Sequence, residues 1–160
     1  MAVDKNQAVI NFLLQCPRIA NNPTFFNFIN AKDDNKQIIT TANEKSVQRP
    51  YIDGSVLKRY TFTIIDFKSI SYNAIPRAFG YTDENVDDLL QVQDIIDWIT
   101  EQADEKNFPD FGADCAIDDM RALTENPSLN GIDTTIQPAL ARYSVSIQID
   151  YIDYSKKLWR

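Results

Sequence analysis

Five side chains and one triplet invite a chemical reading by type and spacing. Cys16 and Cys115 are the two thiols, and a thiol becomes a nucleophile when a base or a positive neighbour lowers its pKa. Asp114, Asp118 and Asp119 form a short run of carboxylates, the oxygen-donor type that Mg²⁺ or Ca²⁺ takes. Asp110-Phe111-Gly112 spells the metal-binding triplet of protein kinases. One compositional fact stands against most of this: the 160 residues include no histidine. That excludes Cys–His and Ser–His nucleophile pairs and every His-ligated metal. The kinase triplet needs a His-Arg-Asp catalytic loop and a Gly-rich loop. The four glycines, Gly54, Gly80, Gly112 and Gly131, each stand alone and build no phosphate cradle. The acidic run fits no EF-hand spacing, and the 23 acids single out no carboxylate pair for glycoside chemistry. The two cysteines match no CxxC spacing and read as buried thiols of a reducing compartment rather than a disulfide. No active site, metal or cofactor is expected.

Charge is informative through its placement. The net charge is −7. Residues 81–120 hold thirteen Asp/Glu against one Lys, while the rest of the chain carries a net +5. An acidic protein is poorly suited to general nucleic-acid binding, which needs cationic surface to displace counterions. The split suits docking between copies, or onto a partner of opposite sign. A solvated acidic helix is the simpler account of the same pattern. The N-terminus lacks the basic start and small-residue cleavage site of a signal peptide. Its longest apolar run, Phe12-Leu13-Leu14, is far short of a membrane span. A soluble, cytosol-made protein with no membrane partner is the expectation.

The elements that must position these residues can be placed from periodicity. Asp4 caps a first helix, with Gln7 in the capping-box position, and Val9, Phe12, Leu13 and Cys16 at helical spacing before Pro17 stops the run. Residues 24–30 and 37–41 look like short strands around the turn-prone 32–35, and 42–54 reads as a mobile loop or arm. Within 56–67, Tyr60, Phe62 and Ile64 alternate with Thr61, Thr63 and Ile65. A loop follows over 68–82. Thr82 opens the longest helix, with Asp83, Glu84, Asp87 and Asp88 complementing its dipole. Leu89, Val92, Ile96, Ile99 and Ala103 draw its apolar stripe, widened by Ile95 and Trp98, and it ends near Asn107. A weak strand covers 116–123 and a loop 124–138. In the last strand, Ala141, Tyr143, Val145, Ile147, Ile149 and Tyr151 alternate with Arg142, Ser144, Ser146, Gln148 and Asp150. Its inward aromatics, like Tyr60 and Phe62, read as core rather than as a base-stacking platform. Residues 155–160 form a basic tail.

Strands do not alternate with helices, so no βαβ chain is implied. The class is α+β: a mainly antiparallel sheet with an N-terminal helix and one long helix packed on one face, all within a single domain spanning 1–160.

Three stretches resemble a known family. They are Lys58-Arg59-Tyr-Thr-Phe-Thr-Ile64, the helix from Asp94 to Asn107-Phe108-Pro109 with its Glu101-Gln102 step, and Ala141-Arg142-Tyr143 running to Tyr151. Their order and spacing resemble tail terminator proteins, often called minor capsid proteins, of phages and prophages of Firmicutes-type bacteria. The resemblance covers residues 56–154; the first helix matches in kind only, and the loops at 68–82 and 124–138 are long for the family. It implies a structural virion protein without catalysis, a ring of usually six copies that caps the tail tube and faces the head-side connector. Its partners would be further copies of itself, the tube protein and the connector, with DNA at most passing through the ring. Asp83, Glu84, Asp87 and Asp88 would face Arg59 or Arg142 of the next copy. Other expectations stay open: another neck or tube component, an acidic binding module such as a DNA-mimicking inhibitor, and a small enzyme.

Overall fold

The computed structural model describes residues 4–20, 24–26, 36–40, 47–69, 75–77, 80–82, 84–123, 128–133 and 140–158. Its frame is one pair of long strands. β4 (Val56–Ser69) and β9 (Leu140–Asp153) run antiparallel in unbroken register from Val56↔Asp153 to Ser69↔Leu140, a ladder about 45 Å long at the usual rise per residue. Two shorter strands lie end to end along each outer edge of this pair. On β4 they are β3 (Val47–Pro50), beside Val56–Lys58, and β2 (Lys36–Thr40), beside Phe62–Asp66. On β9 they are β7 (Cys115–Ala122) and β8 (Ser128–Asp133). β1 (Thr24–Phe26) joins β2 in parallel; every other described pairing in this sheet is antiparallel. β5 (Ile75–Arg77) and β6 (Gly80–Thr82) form a separate hairpin.

Four of these strands fall where loops are expected. β3 lies in the supposed arm, and all four of its residues are exposed, so it has no apolar alternation to read. β8 is interrupted by a register shift between Leu129 and Ile132, around Asn130-Gly131, which breaks the period of two. The β5–β6 hairpin contains Pro76 and Gly80, both of which read as breakers, but it needs only three residues a side. The other residues of 18–54 with "arm" character lie partly outside the described residues.

Helices cover one face of the sheet. α1 (Lys5–Leu13) starts at Asp4, whose carboxylate accepts from the Asn6 N–H at 3.0 Å. The reciprocal half of a capping box is missing, because Gln7 donates to Asn11 instead. Pro17 does not simply stop this helix. It opens a second, four-residue helix, α2 (Pro17–Ala20), at the position where a missing N–H costs nothing. α3 (Glu84–Asp104) buries Val92, Ile95, Ile96 and Ile99, with Trp98 and Ala103 packed at the margin. It closes in a Schellman turn: the Asn107 N–H bonds the Gln102 carbonyl and the Lys106 N–H bonds that of Ala103. Lys106 takes the left-handed position at φ 57°, where glycine is the usual occupant.

The core lies between these helices and the inward face of the ladder. Val145, Ile147, Ile149, Phe62 and Ile64 meet Val9, Phe12 and Leu13 of α1 and the buried stripe of α3. Phe12 stacks tilted on Trp98 with centroids 5.1 Å apart. Arg18 ties α2 to α3 through Asp94 at 2.9 Å, an exposed pair worth at most about 1 kcal/mol.

At the end of the ladder nearer the start of α3, the core turns charged. Lys36, Asp66 and Lys68 are 1%, 1% and 3% exposed. Lys36 Nζ donates to Asp66 Oδ1 at 2.9 Å, Lys68 Nζ lies 3.9 Å from the other carboxylate oxygen, and Lys68 also donates to Gln91 of α3 at 3.0 Å. Register puts Lys36 directly opposite Asp66, so the pairing is built into the β2–β4 alignment.

Removing one member of a buried ion pair leaves the other uncompensated. Asp66→Ala should therefore cost about 3–5 kcal/mol in urea unfolding, whereas the triple substitution Lys36→Met/Asp66→Leu/Lys68→Met, which removes all three buried charges, should recover most of it. A loss well under 1 kcal/mol for the single variant would contradict the burial. Lys106→Gly should stabilise the chain by about 1 kcal/mol in the same assay, by relieving the left-handed residue.

Candidate functional site

Each chemistry-bearing residue of the sequence has a structural place. Cys16 is buried and Cys115 half-buried, and both are free thiols. Burial raises the pKa of each, outweighing the backbone hydrogen bonds and the Arg18 charge at Cys16 and the nearby lysines at Cys115. Neither is an activated nucleophile. The Asp-Phe-Gly triplet is a turn. Asp110 accepts from the Gly112 N–H at 2.9 Å, Gly112 sits at φ 96°, and Phe111 drops into the core edge-on to Tyr151, centroids 5.2 Å apart. Tyr60 and Tyr151 flank Phe111, and burial pushes both phenols up to about 12. Among the described residues no three His, Cys, Asp or Glu side chains gather as metal ligands.

The interface candidates are scattered. Arg59 is on the outer sheet face and spends its charge within the chain, donating from Nε to Asp150 on the neighbouring strand at 2.9 Å. Gln148 lies beside this pair, with one terminal atom of its amide 3.2 Å from both Arg59 Nε and Arg121 Nη2. Arg142 is exposed on the same face, but it pairs with Phe67, eight residues from Arg59 along β4 and so roughly 27 Å away. Glu84, Asp87 and Asp88 fall in the first two turns of α3, and Asp83 lies outside the described residues. The two arginines therefore form no single patch.

The sequence reading did not single out the end of the ladder where β3 turns into β4. Tyr51-Ile52-Asp53-Gly54 make a tight turn, closed by Tyr51 N–H to the Ser55 carbonyl at 2.9 Å and Gly54 N–H to the Tyr51 carbonyl at 3.1 Å. Asp53 accepts from both the hydroxyl and the N–H of Ser55, and the hydroxyl bond is the first cause of its lowered pKa. The C-terminal segment clasps this turn. Leu158 N–H bonds the Asp53 carbonyl at 2.6 Å, and Tyr154 N–H bonds that of Asp114 at 2.7 Å. Gly54 has φ 90°, and a Cβ there would clash with the Lys156 carbonyl oxygen. Glycine is required both for the backbone and for the approach.

The clasped turn displays apolar surface. Ile52 is 92% exposed and Leu158 73%, with Val47, Tyr51 and Tyr154 also exposed. Arg49 lies 5.7 Å above the Tyr51 ring and Lys157 5.6 Å above that of Tyr154, while Tyr51, Ile52, Asp53 and Tyr154 line a shallow hollow of about 560 Å³, so charges of both signs flank the apolar side chains. Large apolar side chains exposed together at one end of a stiff sheet are one mark of an interaction site. A groove of about 380 Å³ runs along α1, lined by the polar Asp4, Gln7, Asn11, Gln15 and Asp110 over a floor in which Ala8, Phe12 and Pro109 are buried.

The clasp is also electrostatic. Burial alone would push the Asp153 carboxyl up, but hydrogen bonds from Lys58 Nζ and from Ser155 hold it well below the usual carboxylate range. No family model and no curated protein matches the chain. No described helix is long and apolar enough to cross a membrane.

Two outcomes follow. Gly54→Ala should cost more than about 1 kcal/mol and expose residues 155–158 to faster proteolysis, because the added methyl displaces the clasp. Asp153 is ionised more readily folded than unfolded, so its contribution is full above the unfolded pKa near 4 and is lost as pH falls toward the folded value. The stability gap between the native chain and Asp153→Asn should be open at pH 7 and shrink at pH 3 in urea titrations.

Proposed function

We propose that this chain is a phage tail terminator, a structural virion protein that forms a ring on the finished tail tube and offers its other face to the head-side connector. The observation that carries the reading is where the three resembling stretches fall. They are β4, β9 and the helix α3 that packs against the sheet, adjoining parts of one core rather than scattered surface matches. An exposed apolar pole held on a stiff sheet supports it further, since a capping ring needs rigid subunits with sticky ends. On this reading the protein acts at the head-proximal end of the tail after assembly from the host cytoplasm, and its partners are its own copies, the tube protein and the connector. It binds no cofactor and carries out no reaction.

A second reading, an acidic inhibitor that mimics DNA, is favoured by the exposed acids Asp94, Asp97, Glu101 and Asp104 along α3 and Glu105 just past its end. Tail length separates the two. Particles made without the gene should carry overlong or ragged tubes that fail to join heads, as seen by electron microscopy. Tails of normal length that join heads would overturn the terminator reading and bring the inhibitor forward.

A further inference from the structure

The groove along α1 is lined by amides in an order that the helix itself sets. Gln7 and Asn11 stand one turn apart, about 6 Å along the axis, and Gln15 follows in the turn after the helix. Part of this row is already used. Gln7 Nε2 donates to Asn11 Oδ1 at 2.9 Å, and Gln15 Oε1 accepts from Asn107 Nδ2 at 3.5 Å. The other halves, Gln7 Oε1, Asn11 Nδ2 and Gln15 Nε2, have no partner among the described residues. The row therefore offers one acceptor and two donors beside a floor in which Phe12 and Pro109 are buried. At the edge, the carboxylates of Asp4 and Asp110 each accept one backbone N–H, at 3.0 and 2.9 Å, and keep lone pairs for more. No Lys or Arg is among the lining residues.

These features select among occupants. Nucleic acid needs cations to meet its phosphates, and the groove offers carboxylates. A helix satisfies its own backbone and would leave the amides without partners. An extended chain instead presents an N–H and a C=O along each edge at every second residue, about 6.6 Å apart, close to the step between the amides. We propose that the groove along α1 binds an extended peptide segment of a partner protein, its backbone hydrogen-bonded to Gln7, Asn11 and Gln15 and a Lys or Arg side chain paired with Asp4 or Asp110. From Asp4 to Gln15 the chain rises about 16 Å, the length of about five residues of extended peptide. Main-chain hydrogen bonds supply affinity in this mode, and the carboxylates fix the position of the basic residue. The inference does not depend on the terminator reading.

A displayed library of random heptapeptides, panned against the full chain, tests it, with the Gln7→Ala/Asn11→Ala variant as counter-screen. Both positions are exposed and alanine favours helix, so this variant should keep the native urea midpoint or exceed it. Sequences that the native chain retains should carry Lys or Arg. Synthesised and labelled for fluorescence anisotropy, they should bind the native chain at least about tenfold more tightly than the variant. Asp4→Asn/Asp110→Asn keeps the cap and the turn, since Asn accepts the same bonds, and should weaken binding and flatten its dependence on salt. Glu101→Ala, exposed on α3, should bind as the native chain does. A library yielding no sequence that tells the native chain from the alanine variant would overturn the proposal. So would retained sequences that are acidic, or peptides whose affinity neither groove variant changes. Tail length reports on the terminator reading without reference to this groove, so either can fail while the other stands.

Discussion

The fourteen-residue β4/β9 ladder is the constraint on which everything else hangs. Val145, Ile147 and Ile149 at its centre are fully buried, so a one-residue slip would turn the whole apolar set of β9 toward the outer face. Each long strand is paired along both edges: with its partner on one side, and with two short strands laid end to end on the other. The short strands need little propensity of their own, because the long ones present a ready template of backbone donors and acceptors. The helices in turn take their positions from the inward face of the ladder. α1 is anchored by Asn6 to Tyr60 and by Lys5 over the Tyr151 ring, and α3 by Gln91 to Lys68.

The two ends of the ladder are built differently. At one, the Lys36–Asp66–Lys68 group replaces hydrocarbon with charge in the interior. Such a group is weak evidence for stability, since apolar residues of similar volume would often serve as well. It does penalise misregistered pairing, because any shift of β2 along β4 separates Lys36 from Asp66. At the other end the ladder runs out into the clasped turn, where glycine geometry and three backbone hydrogen bonds hold apolar side chains in solvent. Folding alone does not call for Ile52 to stand almost wholly exposed on a rigid support.

Much of the frame was legible in the sequence. β9 showed strict period-two alternation, α3 an unbroken apolar stripe, and β4 the Tyr60–Phe62–Ile64 alternation that its inward face carries. Segments whose structure comes from their neighbours were not legible. β3 is exposed throughout and pairs because the turn at 51–54 folds it back on β4. β4 also departs from simple alternation, with Ile65 and Phe67 on the outer face buried alongside Ile64 and Asp66. The candidate site was less legible still. Arg59 looked available for another copy, but the register that sets it against Asp150 cannot be read from either strand separately. The pole depends on a contact between residues about a hundred positions apart, Asp53 and Leu158, and no local pattern announces it.

The stiffness of the β4/β9 ladder is read most directly by hydrogen exchange. In the free chain the slowest amides should lie in the middle of β4 and β9, around 60–65 and 145–150, and exchange only through global unfolding. The amides of 51–54 and 155–158, at the exposed end of the ladder, should exchange faster than these. If the slowest amides belonged to α1 or α3 instead, or if 51–54 and 155–158 exchanged as slowly as the middle of the ladder, the ladder would not be the frame.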